Sequence, residues 1–321
     1  MNLVSNELIK RGWQVALVPI NAGESDLITP VCEVFPLNRQ WRGSPVSTLW
    51  TMAKFDRVVK TWNPDVLVLN CDLPELFGAL VPFKKTLVVV EHSNMVWAER
   101  IRLGKLIRKI LVIRKSTWVA VSSSLRIWPN RQIPAGILQN PLTPSVIQET
   151  IKSTSLELKR LVFIGRLSPE KQPIHMLDIA KRSGFEVEIV GDGSMRLELQ
   201  KYADDQNLKV KFHGHLRDPW SFTKSGDLLV IPSSSEGDGL VLIEGMKKGL
   251  PVLLSDIPDL RRFDLPDRNY CQNVEDFVAR ILQYRRNLDS LKIPSEVSNK
   301  ILTSRSLEVV GDSWEGFLMS L

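Results

Sequence analysis

The chain has 321 residues, 43% hydrophobic and 24% charged, with 3 cysteines and a net charge of +6. That length exceeds what one hydrophobic core serves, and the ordinary apolar and charged fractions exclude disordered, collagen-like and coiled-coil chains. No run approaches the roughly 18 apolar residues of a membrane span, the opening MNLVSNELIK lacks the basic-then-apolar order of a secretory leader, and Cys32, Cys71 and Cys271 are too scattered for a disulfide framework or zinc site, so a cytoplasmic protein with reduced cysteines is expected.

The chain opens on a helix-like segment, NLVSNELIKRG, where a doubly wound domain normally opens on a strand and a glycine-rich turn. A truncated start and a domain that dispenses with this element both remain open. WQVALVPI, DVLVLN, TLVVVEH and TWVAVSS then read as strands of a first α/β domain. Residues 1–150 carry 18 basic against 11 acidic side chains, and the rest 24 against 25. Much of the excess lies in residues 97–115, where Arg100, Arg102, Lys105, Arg108, Lys109, Arg114 and Lys115 interleave with Ile, Leu and Val. Nucleic acid, anionic lipid and a solvated helix face are all open readings of that pattern.

Pro134, Pro141 and Pro144 mark residues 131–155 as a linker and put a boundary near residue 150, giving domains 1–150 and 151–321. Beyond it LVFIGRL, a helix near 170–183, EVEIVGDG, a helix near 195–206, KVKFHG, DLLVIPS, a helix near 239–248 and PVLLSD alternate as in a parallel sheet wrapped by helices. Residues 295–321 read as helical, and Trp314, Phe317 and Leu318 form an apolar stripe that needs a surface to dock on.

Two constellations carry chemistry. LVFIGRL runs into SPEKQPIHMLDIAK, where Ser168 suits an N-cap, Pro169 the first helical position and Glu170 the first turn. A helix N-terminus beside Gly165 would then set Arg166 and Lys171 next to unpaired backbone N–H groups, an arrangement that binds phosphate; two surface cations in a βα loop is the plainer alternative. In SSSEGDGLVLIEGMKKGLPV, Gly237 and Gly239 let a ligand approach the backbone, Glu236 stays in the loop, and Glu244 enters the helix. A carboxylate there can accept from ribose hydroxyls, which makes Glu244 the ribose candidate. Glu236 can hold a sugar hydroxyl or stabilise positive charge developing on a sugar ring. A cap and a solvated helix residue are the alternatives for the pair. His92, just past TLVVVEH, stands where α/β folds place ligand-contacting residues, although a lone histidine is more often structural. No D-x-D pair occurs, and His175, His213 and His215 lack metal-ligand spacing, so no metal is expected.

In this order, RLVFIGRLSPEKQ, EIVGDGSMRLEL, VKFHGHL and SSSEGDGLVLIEGMKKGLPVLLSD resemble retaining glycosyltransferases of family 4, specifically across residues 160–256, with the E-x7-E pair sharpest. The resemblance implies a GT-B fold: two Rossmann-like α/β domains facing across a cleft, an acceptor-side N-terminal one and a donor-binding C-terminal one, with a C-terminal helix crossing back. It implies transfer of a hexose from a nucleoside-diphosphate sugar to a glycolipid or a lipopolysaccharide or capsule precursor, with retention of configuration and without cofactor or metal. By it, Arg166 and Lys171 neutralise the donor diphosphate, Glu244 binds the ribose, Glu236 contacts the transferred sugar and His92 faces that sugar. Gly191 and Gly193 match a glycine turn, His213 and Gly214 a region flanking the base, and Gly237, Asp238, Gly239 and Leu240 the donor loop. Asp238 departs from the family's usual aromatic, which implies an altered sugar preference, and the unfound first strand and glycine loop is the larger departure. The resemblance favours peripheral contact of residues 97–115 with an anionic membrane at its cytoplasmic face over nucleic acid, for which no module is recognised. A nucleotide-sugar epimerase of similar form and a non-catalytic partner protein are the competing functions.

Overall fold

A computed structural model describes residues 2–21, 31–39, 44–93, 96–97, 100–142 and 157–321. The chain forms two compact units, Met1–Pro141 with Ser306–Leu321, and Leu142–Arg305.

The first unit opens on helix α1 (Asn2–Lys10), followed by β1 (Ala16–Leu17) paired in parallel with β2 (Glu33–Val34). Helix α2 (Pro45–Trp62) leads to β3 (Val66–Asn70), then α3 (Asp72–Leu80), β4 (Thr86–Glu91), α4 (Ile101–Ile113), β5 (Thr117–Ala120) and β6 (Gly136–Ile137). Strands β3 to β6 form a parallel sheet in that order. Alternate side chains go to opposite faces. Val88, Val90 and Val119 pack on Val4 and Leu8 of α1, while Leu87, Val89 and Trp118 pack with Ala79 of α3 and Ile107 and Leu111 of α4. The free edge of β3 and the strand β1 line a cavity of about 420 Å³ with Leu8, Phe55 and Val59, and among the described residues no strand lies between them.

Residues 131–142 are more than the expected linker. Gly136–Ile137 pairs with β5 and Leu138 is buried, so this stretch belongs to the sheet. The first unit accordingly ends at Pro141, ahead of residue 150, while Pro144 and residues 143–156 lie outside the described residues. The tail, read as one helical segment, is two helices, Ser295–Ser304 and Leu307–Met319, because the Ser306 hydroxyl accepts the Val309 N–H at 3.3 Å and caps a new helix. That last helix returns to the first unit with Trp314 buried. Arg11 holds it through Asp312 at 2.6 Å and Glu315 at 3.0 Å, and the Trp13 indole donates to Glu315 at 3.1 Å.

The second unit continues with β7 (Arg160–Ile164), α5 (Pro173–Ser183), β8 (Glu186–Val190), α6 (Arg196–Asp205), β9 (Val210–Gly214), β10 (Asp227–Ile231), α7 (Leu240–Lys248), β11 (Val252–Ser255), α8 (Pro258–Arg261), β12 (Tyr270–Cys271) and α9 (Val274–Tyr284). Its six parallel strands run β12-β11-β10-β7-β8-β9. Leu161, Phe163, Leu228 and Val230 face α5, α6 and α9 on one side of the sheet, and Val162, Leu229 and Ile231 face α7 and α8 on the other. Burial on both faces is why these strands read as unbroken apolar runs.

Candidate functional site

Strand order reverses at β7 and β10: β8 and β9 lie to one side, β11 and β12 to the other. Open α/β sheets bind ligands outside the carboxyl ends of the strands at such a switch point. The two loops that leave it here are residues 165–172 and 232–239, which hold both constellations read from the sequence.

The first loop differs from expectation. Residues Pro169–Lys171 form a separate 3-10 turn, Gln172 takes a left-handed φ of 48°, and the helix starts at Pro173. Pro173 has no N–H and bars the residue before it from the helical region, so the turn cannot run on into α5. Ser168 caps nothing; its hydroxyl donates to Glu170 Oε1 at 2.7 Å.

The two loops are tied together. The Ser234 N–H donates to the Glu170 carbonyl at 2.9 Å, and Lys171 Nζ lies 2.7 Å from Glu236 Oε2. Glu236 Oε1 accepts from the Ser233 hydroxyl at 2.9 Å, and the Glu236 N–H donates to Asp259 Oδ2 at 2.9 Å. Asp259 Oδ2 also accepts from the Ser235 hydroxyl. The Glu236 side chain is 8% exposed and that of Lys171 25%, so a nearly buried carboxylate faces a cation that still reaches solvent. Glu244, in the second turn of α7, accepts from the indole N–H of buried Trp220 at 3.0 Å. Arg166 is exposed.

Gly191 and Gly193 are required by close backbone approach. A Cβ on Gly191, whose φ is 133°, would sit 1.9 Å from the Gly165 carbonyl oxygen, and one on Gly193 would sit 2.4 Å from that of Leu167. The Leu167 N–H in turn donates to the Asp192 carbonyl at 3.0 Å, and the Gly191 N–H to that of Gly214 at 2.8 Å. The His213 imidazole bonds Glu188 and stacks on Phe222, so its side chain belongs to a polar cluster with Arg160 and Asp227. In the second loop both Asp238 oxygens accept from Arg305, at 2.7 and 2.8 Å, and the Asp238 carbonyl accepts from Arg262 at 2.7 Å. Gly237 is half-buried, and Gly239, with a φ of 66°, precedes Leu240 at the start of α7.

In the first unit His92 follows β4, half-buried, with Nε2 2.9 Å from Asn70 Oδ1 at the end of β3. Glu91 just before it is buried and pairs with Arg108 at 2.7 Å; Arg108 also forks onto Glu75 at 2.9 and 2.5 Å. Two cations of residues 97–115 are therefore structural. Arg108 is 2% exposed, and Arg114 donates to the carbonyls of Gly78, Ala79, Val81 and Phe83. Arg100, Arg102, Lys105, Lys109 and Lys115 stay exposed. Ser233, Asp259, Trp220 and Arg305 carry much of this geometry and escaped the sequence reading; only the serine run before Glu236 gave a local signal. Among the described residues no group of three or more His, Cys, Asp or Glu side chains is placed to hold a metal ion.

Both units are Rossmann-like, and the architecture is of the GT-B type. Anabaena HepE, solved in complex with UDP and glucose, superposes with a TM-score of 0.75 at 16% identity, covering 100% of this chain and 95% of that one. Residues 147–267, which overlap the second unit, match the family described as Glycosyl transferases group 1. The UDP-Gal:alpha-D-GlcNAc-diphosphoundecaprenol alpha-1,3-galactosyltransferase of Escherichia coli is 32% identical over 142 residues, 39% of this chain and 36% of that protein. A GalNAc-alpha-(1->4)-GalNAc-alpha-(1->3)-diNAcBac-PP-undecaprenol alpha-1,4-N-acetyl-D-galactosaminyltransferase of Campylobacter jejuni is 26% identical over 200 residues, 59% of this chain and 55% of that protein. The chain thus spans between about a third and about a half of these curated relatives.

Proposed function

We propose that the protein is a glycosyltransferase that moves a hexose from a nucleoside-diphosphate sugar to a lipid-linked or polysaccharide acceptor, with retention of anomeric configuration. The observation that carries this reading is the union of the two loops at the sheet's switch point, which sets the Lys171 ammonium 2.7 Å from the Glu236 carboxylate. In this reading Lys171, Arg166 and the backbone N–H groups of residues 237–240 take the diphosphate without a metal ion or cofactor. Glu244, oriented by Trp220, holds the ribose; Glu236 contacts the sugar; Gly191, Gly193 and the backbone of His213 and Gly214 lie toward the base. His92 faces that sugar as the resemblance implies, and we assign it a catalytic part with Glu236, Arg166 and Lys171. The first unit takes the acceptor and the second the donor. The E. coli and C. jejuni relatives support the acceptor class, since both are named for undecaprenol-linked acceptors and alpha linkages.

The test is an NMR assay with labelled nucleoside-diphosphate sugars and a lipid-diphosphate sugar acceptor. The expected product keeps the donor's anomeric configuration. An inverted product would remove the retaining assignment, and a C-epimerised donor formed without acceptor would favour the epimerase.

The outward face of α4 supports peripheral residence at the cytoplasmic membrane face. Ile101, Leu106, Val112 and Ile113 are 51%, 56%, 57% and 70% exposed beside Arg102, Lys105 and Lys109. No described helix is long and apolar enough to cross a membrane, but this face can lie on one. Each cation near anionic lipid adds ~1 kcal/mol. Co-sedimentation with phosphatidylglycerol vesicles is expected, weakening at high salt; equal binding to neutral vesicles would speak against the electrostatic contribution.

A further inference from the structure

Arg305 is the last residue of the second unit and is 2% exposed. Its carbonyl accepts the N–H of Leu142, the first residue of that unit, at 3.1 Å. The points where the chain enters and leaves the unit are therefore joined at one residue. The side chain of the same residue reaches the second loop: Nη1 and Nη2 donate to Asp238 Oδ2 and Oδ1 at 2.8 and 2.7 Å. Asp238 lies between Glu236 and the start of α7, and the loop is further pinned by Arg262 at the Asp238 carbonyl and by Asp259 at the Glu236 N–H.

A guanidinium forked onto a carboxylate fixes distance and angle together. As a stabilising device a buried pair is poor, since apolar side chains of similar volume often serve as well. What this pair supplies is a defined position for the loop. Both oxygens of the Asp238 carboxylate are engaged by Arg305.

We propose that Arg305 is a positioning residue for the donor loop: through Asp238 it fixes the backbone of residues 237–239 and the placement of Glu236, and through its carbonyl it ties that loop to both chain crossings. The assignment rests on the donor reading above, and it gives the Asp238 carboxylate to Arg305 rather than to the sugar. Loss of the pair lets the loop shift, and displacements on the order of 1 Å cost up to ~100-fold in rate.

The test titrates wild type, Arg305→Met, Arg305→Lys and Asp238→Asn with UDP, GDP, ADP and dTDP by calorimetry below the unfolding temperature of each, with thermal unfolding recorded in parallel. Wild type is expected to bind at least one of these. Arg305→Met and Asp238→Asn each weaken that ligand by about tenfold, Arg305→Lys recovers part of the loss, and the Arg305→Met/Asp238→Asn double variant, titrated alongside them, is no weaker than either single one, because all break the same pair. A lowered unfolding temperature with unchanged nucleotide affinity in Arg305→Met would make Arg305 a purely structural residue and overturn the proposal. Should Arg305→Met fail to fold, unchanged affinity in both Arg305→Lys and Asp238→Asn overturns it equally. Wild type that binds none of the nucleotides would instead bring down the donor reading, and this inference with it.

Discussion

Lys171→Ala is expected to lower sugar transfer by roughly 100- to 1,000-fold, the loss seen when one preorganised donor to a developing negative charge is removed. In the proposed reaction the departing nucleoside diphosphate carries that charge, and Lys171 is a cation at the junction of the two loops. Its ammonium is paired with Glu236, and on the proposed reading a diphosphate competes with that carboxylate for it. The cost to folding is about 1–3 kcal/mol, which leaves a domain of ordinary stability folded, because Glu236 keeps the Ser233 hydroxyl on its other oxygen and Lys171 is partly in water. Rate and fold therefore separate. Steady-state kinetics should show kcat falling far more than the unfolding temperature, with Lys171→Arg restoring part of the rate. Unchanged kcat and KM for the donor in Lys171→Ala would remove Lys171 from the site.

The second unit was largely legible because its strands are buried on both faces, as in β10, where every residue from Asp227 to Ile231 is buried. Its loops were legible as glycine-rich breaks, and the structure gives the reason at Gly191 and Gly193, where another backbone occupies the space of a side chain. What escaped depends on contacts between residues far apart. Asp238 meets Arg305 across 67 positions and Trp220 meets Glu244 across 24, and no local period records either. The shift of the helix start to Pro173 was readable in principle, since a proline inside a helical pattern resets it. Pro169 masks it by offering an equally good first position. The two-part tail was hidden for a similar reason: Ser306 is a good N-cap, but the helices on either side of it each carry an apolar face, with Val297 and Ile301 before it and Val310 and Trp314 after it.

Arg108→Met is expected to destabilise the first unit by about 3–5 kcal/mol, the cost of leaving a buried charge without its partner. Here the period did hold the signal: Gly104, Ile107, Arg108 and Leu111 are the buried residues of α4, spaced i, i+3, i+4 and i+7, which places Arg108 on the core face. Its guanidinium bridges Glu75 and Glu91, donates to the Trp128 carbonyl at 2.8 Å and lies 5.1 Å from the Trp118 ring. One cation thus faces two buried carboxylates, and one of them should hold a proton. Burial pushes the Glu91 carboxyl from 4.5 up to about 7 against the opposing pull of Arg108, and the Glu75 charge adds to the rise. A carboxyl raised in the folded state contributes stability that is fully present below about pH 4.5 and is lost as pH climbs through 7. The urea midpoint of the wild type should therefore decline across that window, and Glu91→Gln, which removes the titrating group, should flatten the slope. An equal slope in Glu91→Gln would mean that another group titrates there, and a loss under 1 kcal/mol in Arg108→Met would mean that its two carboxylates find other donors.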